Sequence, residues 1–163
     1  MKKYLLSVCC CFALLACDNE ETPTVTQPKN ELITGFTLID ENGNRLEDIG
    51  IPNEKDFAEP GLTATFLPNP VSDYMHVRLT ATTPTKITAW LTYAQLDDAL
   101  QSTSYYIGPA DTPGKIAYVI LNEREITSDE SFLVNVSELP AGPYRLYLKT
   151  GNEVTWKNVL IIR

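Results

Sequence analysis

From residue 31 onward, apolar and polar positions alternate with a period of two, the pattern of strands with one buried face. Leu32-Ile33-Thr34-Gly35-Phe36-Thr37-Leu38-Ile39 is rich in strand formers and stops at Asp40-Glu41-Asn42-Gly43-Asn44. The Asn-Gly pair there suits a type I′ hairpin turn, which needs positive φ at both central residues. Residues 46–61 read as a loop, carrying Ile51-Pro52 and Pro60-Gly61. Short alternating strands are expected at 62–66, 74–79 and 87–93. In the last of these, Ile87, Ala89, Leu91 and Tyr93 share one face, and Thr88, Trp90 and Thr92 share the other. Residues 94–101 read as one helical turn or a loop. Further strands are expected at 104–107, 116–121, 132–136, 144–149 and 154–162, with Gly151-Asn152 turning between the last two.

No stretch of ten or more residues keeps a helical period. Short strands at this spacing, with turn residues between them, indicate an all-β fold. The expectation is an immunoglobulin-like antiparallel β-sandwich of about seven to nine strands, occupying residues 31–163 as one domain.

The first residues follow a different pattern. Lys2 and Lys3 precede an apolar run from Tyr4 to Ala16. That run is too short for a hydrocarbon core of about 30 Å, and it reads as the apolar region of a signal peptide. It closes on Leu14-Leu15-Ala16-Cys17, which resembles the bacterial lipobox. The resemblance implies that the Cys17 thiol carries diacylglycerol, that the chain is cut before it, and that its new amine is acylated. Several acyl chains, at about 0.8 kcal/mol per buried methylene, anchor far more firmly than one. All four cysteines (Cys9, Cys10, Cys11 and Cys17) lie in this segment or at its cut site, leaving none for disulfides, zinc or nucleophilic catalysis.

Removal of residues 1–16 leaves 147 residues (163 − 16) with 11 basic and 21 acidic side chains, a formal charge of −10. That balance argues against nucleic acid, whose binding needs lysine and arginine against phosphates. It also argues against a second, electrostatic attachment to anionic lipid. Residues 17–30 begin Cys17-Asp18-Asn19-Glu20-Glu21 and are almost free of large apolar groups, so they read as a flexible acidic tether. The acidic cluster after Cys17 resembles the surface-export signal of Bacteroidetes lipoproteins.

A second resemblance covers about residues 66–163. Leu67-Pro68-Asn69-Pro70-Val71-Ser72-Asp73-Tyr74-Met75-His76-Val77-Arg78-Leu79 opens it. Phe132 to Gly151 and Trp156-Lys157-Asn158-Val159-Leu160-Ile161-Ile162-Arg163 close it. Together they resemble the C-terminal sorting domain of the type IX (Por) secretion system, which implies a seven-stranded immunoglobulin-like sandwich. Two departures stand out. Gln95-Leu96-Asp97-Asp98-Ala99 occupies the place of an Asp-x-x-Gly turn without its glycine, and Pro143 replaces an apolar residue. The two prolines around Asn69 block ladder pairing and set the direction of the next strand. Pro140-Ala141-Gly142 makes the corner that delivers Tyr144, Leu146 and Leu148 to one face.

Candidate chemistry is sparse. His76 stands alone, on a strand face beside Tyr74 and Arg78, with no nucleophile motif, metal-ligand pair or phosphate loop. Asp97-Asp98 and Asp129-Glu130 read as solvated loop charges. Asp40 to Asn44 resembles a calcium loop, but Arg45 stands where glycine is needed and Ile51 where a bidentate Glu is needed. Among the aromatics, Trp90 and Trp156 are the candidate sugar-stacking surface. The expectation is therefore a non-enzymatic lipoprotein of the outer membrane, with no catalytic residues, no metal and no cofactor beyond the lipid on Cys17. Its partners would be the membrane, through the anchor, and an envelope protein or a glycan; the alternatives are a sorting-type domain and a glycan-binding module.

Overall fold

The structure, a computed structural model, describes residues 32–56, 60–101 and 113–163. Nine strands appear among them: β1 (Gly35–Ile39), β2 (Arg45–Gly50), β3 (Leu62–Leu67), β4 (Tyr74–Ala81), β5 (Thr85–Tyr93), β6 (Ile116–Ile126), β7 (Glu130–Asn135), β8 (Gly142–Thr150) and β9 (Glu153–Ile161). One short helical turn, α1 (Asp98–Gln101), follows β5. A three-stranded sheet of order β3-β4-β7 faces a four-stranded sheet of order β6-β5-β8-β9, and β1-β2 form a separate hairpin. The chain lays down β3 and β4 in one sheet and β5 and β6 in the other. It then returns for β7 and crosses back for β8 and β9. This is an all-β, immunoglobulin-like sandwich.

Alternation explains which residues meet in the middle. On β4, Met75, Val77, Leu79 and Ala81 are buried, while Tyr74, Arg78 and Thr80 are exposed. Ile87, Ala89 and Leu91 of β5 join Tyr144, Leu146 and Leu148 of β8 and Val159 and Ile161 of β9 in the same core. Tyr144 also closes the corner before its strand: its hydroxyl donates to the Pro140 carbonyl at 2.7 Å. Such a tyrosine corner recurs at the start of this strand in immunoglobulin-like sandwiches. Burial pushes its phenol up to about 12, with the charge of Tyr93 adding to the shift.

The region before Pro68 departs from the sequence expectation. Residues 46–50, read as part of a loop, form β2 together with Arg45 and pair antiparallel with β1. Arg45-Leu46-Glu47-Asp48 is too polar and too exposed to show an apolar period. The strand exists because β1 offers it a backbone edge. Gly35 and Gly50 face each other across this hairpin. A Cβ on Gly35 would sit 2.5 Å from the backbone nitrogens of Ile51 and Pro52, and Gly50 has φ +69°. Both positions therefore require glycine. The strand expected at 104–107 lies outside the described residues.

The hairpin and residues 51–56 form a strap over the outer face of the four-stranded sheet. Ile33, Phe36 and Leu38 pack with Ala94, Leu96, Leu100 and Leu160 in a second core. This is why nearly every residue of β8 is buried on both faces. The strap and the Pro-Asn-Pro corner together cap the open edge of β9. The outward N–H groups of Trp156, Asn158, Leu160 and Ile162 donate in turn to Lys55 O, Glu54 Oε1, Asn69 Oδ1 and Val71 O, at 2.9–3.2 Å. An edge satisfied in this way offers no template to another strand.

Candidate functional site

Because the strap covers it, the outer face of the four-stranded sheet is a buried surface made of two adjacent cross-strand rungs. Trp90, Tyr147 and Trp156 stand opposite one another on β5, β8 and β9; Thr92, Arg145 and Asn158 form the next rung. The aromatic rung is stacked at one end, with Trp90 and Tyr147 centroids 5.3 Å apart at 20°. It is tilted at the other, with Tyr147 and Trp156 6.5 Å apart at 55°.

These contacts decide what the two candidate tryptophans do. Trp90 is only 2% exposed. Trp156 is half-buried, donates from Nε1 to the Asn53 carbonyl at 2.9 Å, and carries the Lys55 ammonium 5.9 Å from its ring centre. The pair is not a coplanar exposed platform. A sugar would reach it only after the strap had left.

The polar rung is held as tightly. Asn158 Nδ2 donates to Gly35 O at 2.8 Å and to Asn53 Oδ1 at 3.0 Å, joining sheet to strap. Asn69 Nδ2 donates to Thr37 O and Asn158 O. Lys157 fastens the rim, donating to Glu54 at 3.0 Å and also to Asp56. Burial pulls the Lys157 ammonium down, but the hydrogen bonds and charges of Asp56 and Glu54 outweigh it, so its pKa ends above the ordinary value. Hydrogen bonding and charge from Lys157 hold Asp56 below the ordinary carboxylate value.

The remaining candidates sit elsewhere. His76 lies on the outer face of β4, its Nε2 2.5 Å from Ser131 Oγ. It faces an open groove of about 440 Å³ with Glu41, Asp73, Tyr74 and Leu133. Asp97 accepts from the Ala99 N–H and caps α1, and Glu130 lies 2.6 Å from Arg124. Asp40 spends both carboxylate oxygens inside its own turn, on Asn42 N, Asn44 N and Asn44 Nδ2, each at 2.8 Å. Those bonds, the one from the Asn44 side chain foremost, lower its pKa. Among the described residues no group of three or more His, Cys, Asp or Glu converges, and no described helix is long and apolar enough to cross a membrane. Cys17 lies outside the described residues.

Sequence reasoning missed Arg145, Asn158 and Asn69 as the centre of this surface. Its only signal was that charged or amide residues interrupt strands whose other positions are apolar. No family model and no curated protein matches the chain.

Proposed function

We propose that this chain is a lipid-anchored, non-enzymatic lipoprotein of the bacterial outer membrane, presenting its β-sandwich as a binding or assembly module. The observation that carries this reading is Leu14-Leu15-Ala16-Cys17 behind a short positive and apolar leader. The geometry of attachment is consistent with it. Residues 18–31 separate Cys17 from the first described residue, a reach of at most about 50 Å when fully extended. The chain then joins the sandwich at Ile33, whose N–H donates to Gln95 O at 2.8 Å. Fractionation of cells carrying wild-type or Cys17→Ser chain tests the reading. Wild type is expected in the outer-membrane fraction and the variant out of it; equal partition of the two would reject the anchor. Proteinase treatment of whole cells then tests surface display, and complete protection would reject that part.

A second reading, a type IX sorting-type domain, is supported by β3 to β9 making up a seven-stranded sandwich with Pro68-Asn69-Pro70 and Pro140-Ala141-Gly142 at its corners. A soluble reporter fused ahead of residues 32–163 should then be secreted by a type IX-competent host. Retention of the reporter would reject this reading. The fusion needs the strap, since residues 66–163 alone would leave the β9 edge and the second core uncovered.

A further inference from the structure

We propose that Arg145 forms a buried binding site for the carboxylate of a small organic acid. This inference deepens the binding-module reading and rests on it, but it does not depend on the lipid anchor. Arg145 is 3% exposed, and a guanidinium does not shed its proton to escape burial. Its Nε donates to Asn158 Oδ1 at 3.3 Å, while Nη2 is sealed from solvent without an acceptor. No carboxylate among the described residues forms an ion pair with it. The other arginines differ. Arg45 and Arg124 pair with Asp48 and Glu130, Arg78 is exposed, and the exposed Arg163 is held by backbone carbonyls. Arg145 thus combines burial with a charge that no carboxylate among the described residues offsets. Among the described residues the ring of Trp156, 5.9 Å away, is its remaining electrostatic partner. A cation–π contact is a small compensation beside the desolvation of a full charge.

Arg145 forms part of the wall of a cavity of about 70 Å³, with Thr92, Gln95 and Tyr147 beside it and Leu32 and Pro113 at its sides. That volume has room for several water-sized groups, enough for a carboxylate head. Among the described residues no acidic side chain lines it. A carboxylate oxygen accepts charge-assisted hydrogen bonds from a guanidinium, and one entering this cavity engages the fork through Nη2 once the Arg145 side chain turns toward it. The formal charge of the chain is −8, so no long-range field gathers anions. Selectivity must come from the cavity itself.

Acetate is the probe, added to the full chain in detergent micelles, with chloride and neutral acetamide as controls at matched ionic strength. Acetate alone is expected to raise the thermal midpoint saturably and to shift the Trp156 indole N–H resonance. Arg145→Met removes the charge at similar volume; it is expected to unfold no earlier than wild type without acetate, and to lose the acetate response. Arg145→Lys keeps the charge without the fork and should bind acetate at least tenfold more weakly. If Arg145→Met does not fold, the wild-type indole titration decides by itself. No saturable acetate effect on wild type, an equal effect of chloride, or a response retained in Arg145→Met would each overturn the proposal. Such a failure would leave Cys17 acylation and membrane partition unchanged, whereas a failure of the anchor would leave the acetate response in place.

Discussion

Asn69 offers the most demanding test of how the strap, the Pro-Asn-Pro corner and β9 are joined. Its side chain is buried and makes three hydrogen bonds: Oδ1 accepts from Leu160 N at 2.9 Å, and Nδ2 donates to Thr37 O at 2.8 Å and Asn158 O at 2.9 Å. Asn69→Ala strands two groups on fully buried residues, the Leu160 N–H and the Asn158 carbonyl. Each unsatisfied buried group costs about 1–3 kcal/mol. Water entering the space left by the amide recovers part of this, so the expected net loss is about 3 kcal/mol. For a chain of this size that lowers the unfolding midpoint by roughly 10 °C. Asn69→Asp separates shape from hydrogen bonding. It keeps the acceptor but turns a carboxylate oxygen toward two carbonyls, so its folded-state pKa must lie above the unfolded one. Its deficit should therefore be large at neutral pH and shrink on acidification, as protonation restores one donor. Urea unfolding across pH measures both variants. An Asn69→Ala midpoint within about 0.5 kcal/mol of wild type, the range of ordinary surface changes, would refute the reasoning.

Three further outcomes follow from the same contacts. Tyr144→Phe should cost about 1 kcal/mol through loss of the bond to Pro140 O. Because folding raises that phenol from 10.0 to about 12, its contribution is present below pH 10 and lost as the pH rises through 12. The variant should thus lose less stability over that alkaline range, and parallel profiles would contradict this. Gly35→Ala should push β1 away from Ile51 and Pro52 within the strap, at a cost of about 1–3 kcal/mol. It should also red-shift tryptophan emission as the Asn53–Trp156 bond opens; unchanged emission would speak against it. Arg163 ties Val136 O, Ser137 O and Leu139 O to Ser72 O, so Arg163→Ala should cost about 1 kcal/mol and speed amide exchange at residues 136–139, and unaltered exchange there would count against it.

Much of the sandwich was legible in the sequence, because residues that alternate in polarity also alternate between core and surface. Ile87, Ala89 and Leu91 face the core as their spacing implied. The opposite face of β5 was not legible. Alternation marks Trp90 and Thr92 as the second face, but says nothing about whether another part of the chain covers it. Here residues 33–56 do, and both side chains are buried. β2 escaped for a related reason: a strand whose residues are nearly all exposed carries no apolar period. Asn69 looked like part of a strand-breaking corner, whereas its amide replaces a missing backbone partner for β9. Arg145 was hidden by its neighbours, since a lone arginine in an apolar strand reads as an outward-facing solvated charge. Its burial depends on a strap that lies 89 to 112 positions earlier in the chain (145 − 56 and 145 − 33).

The mass of the mature N-terminus tests the lipid-anchored reading most directly. Intact-protein and peptide mass spectrometry of the chain from its native membrane should show a polypeptide beginning at Cys17, with 147 residues (163 − 16) and the added mass of diacylglycerol, with or without the amide-linked acyl chain. An unmodified Cys17, or a chain cut elsewhere, would contradict the anchor and turn attention to the sorting-type reading.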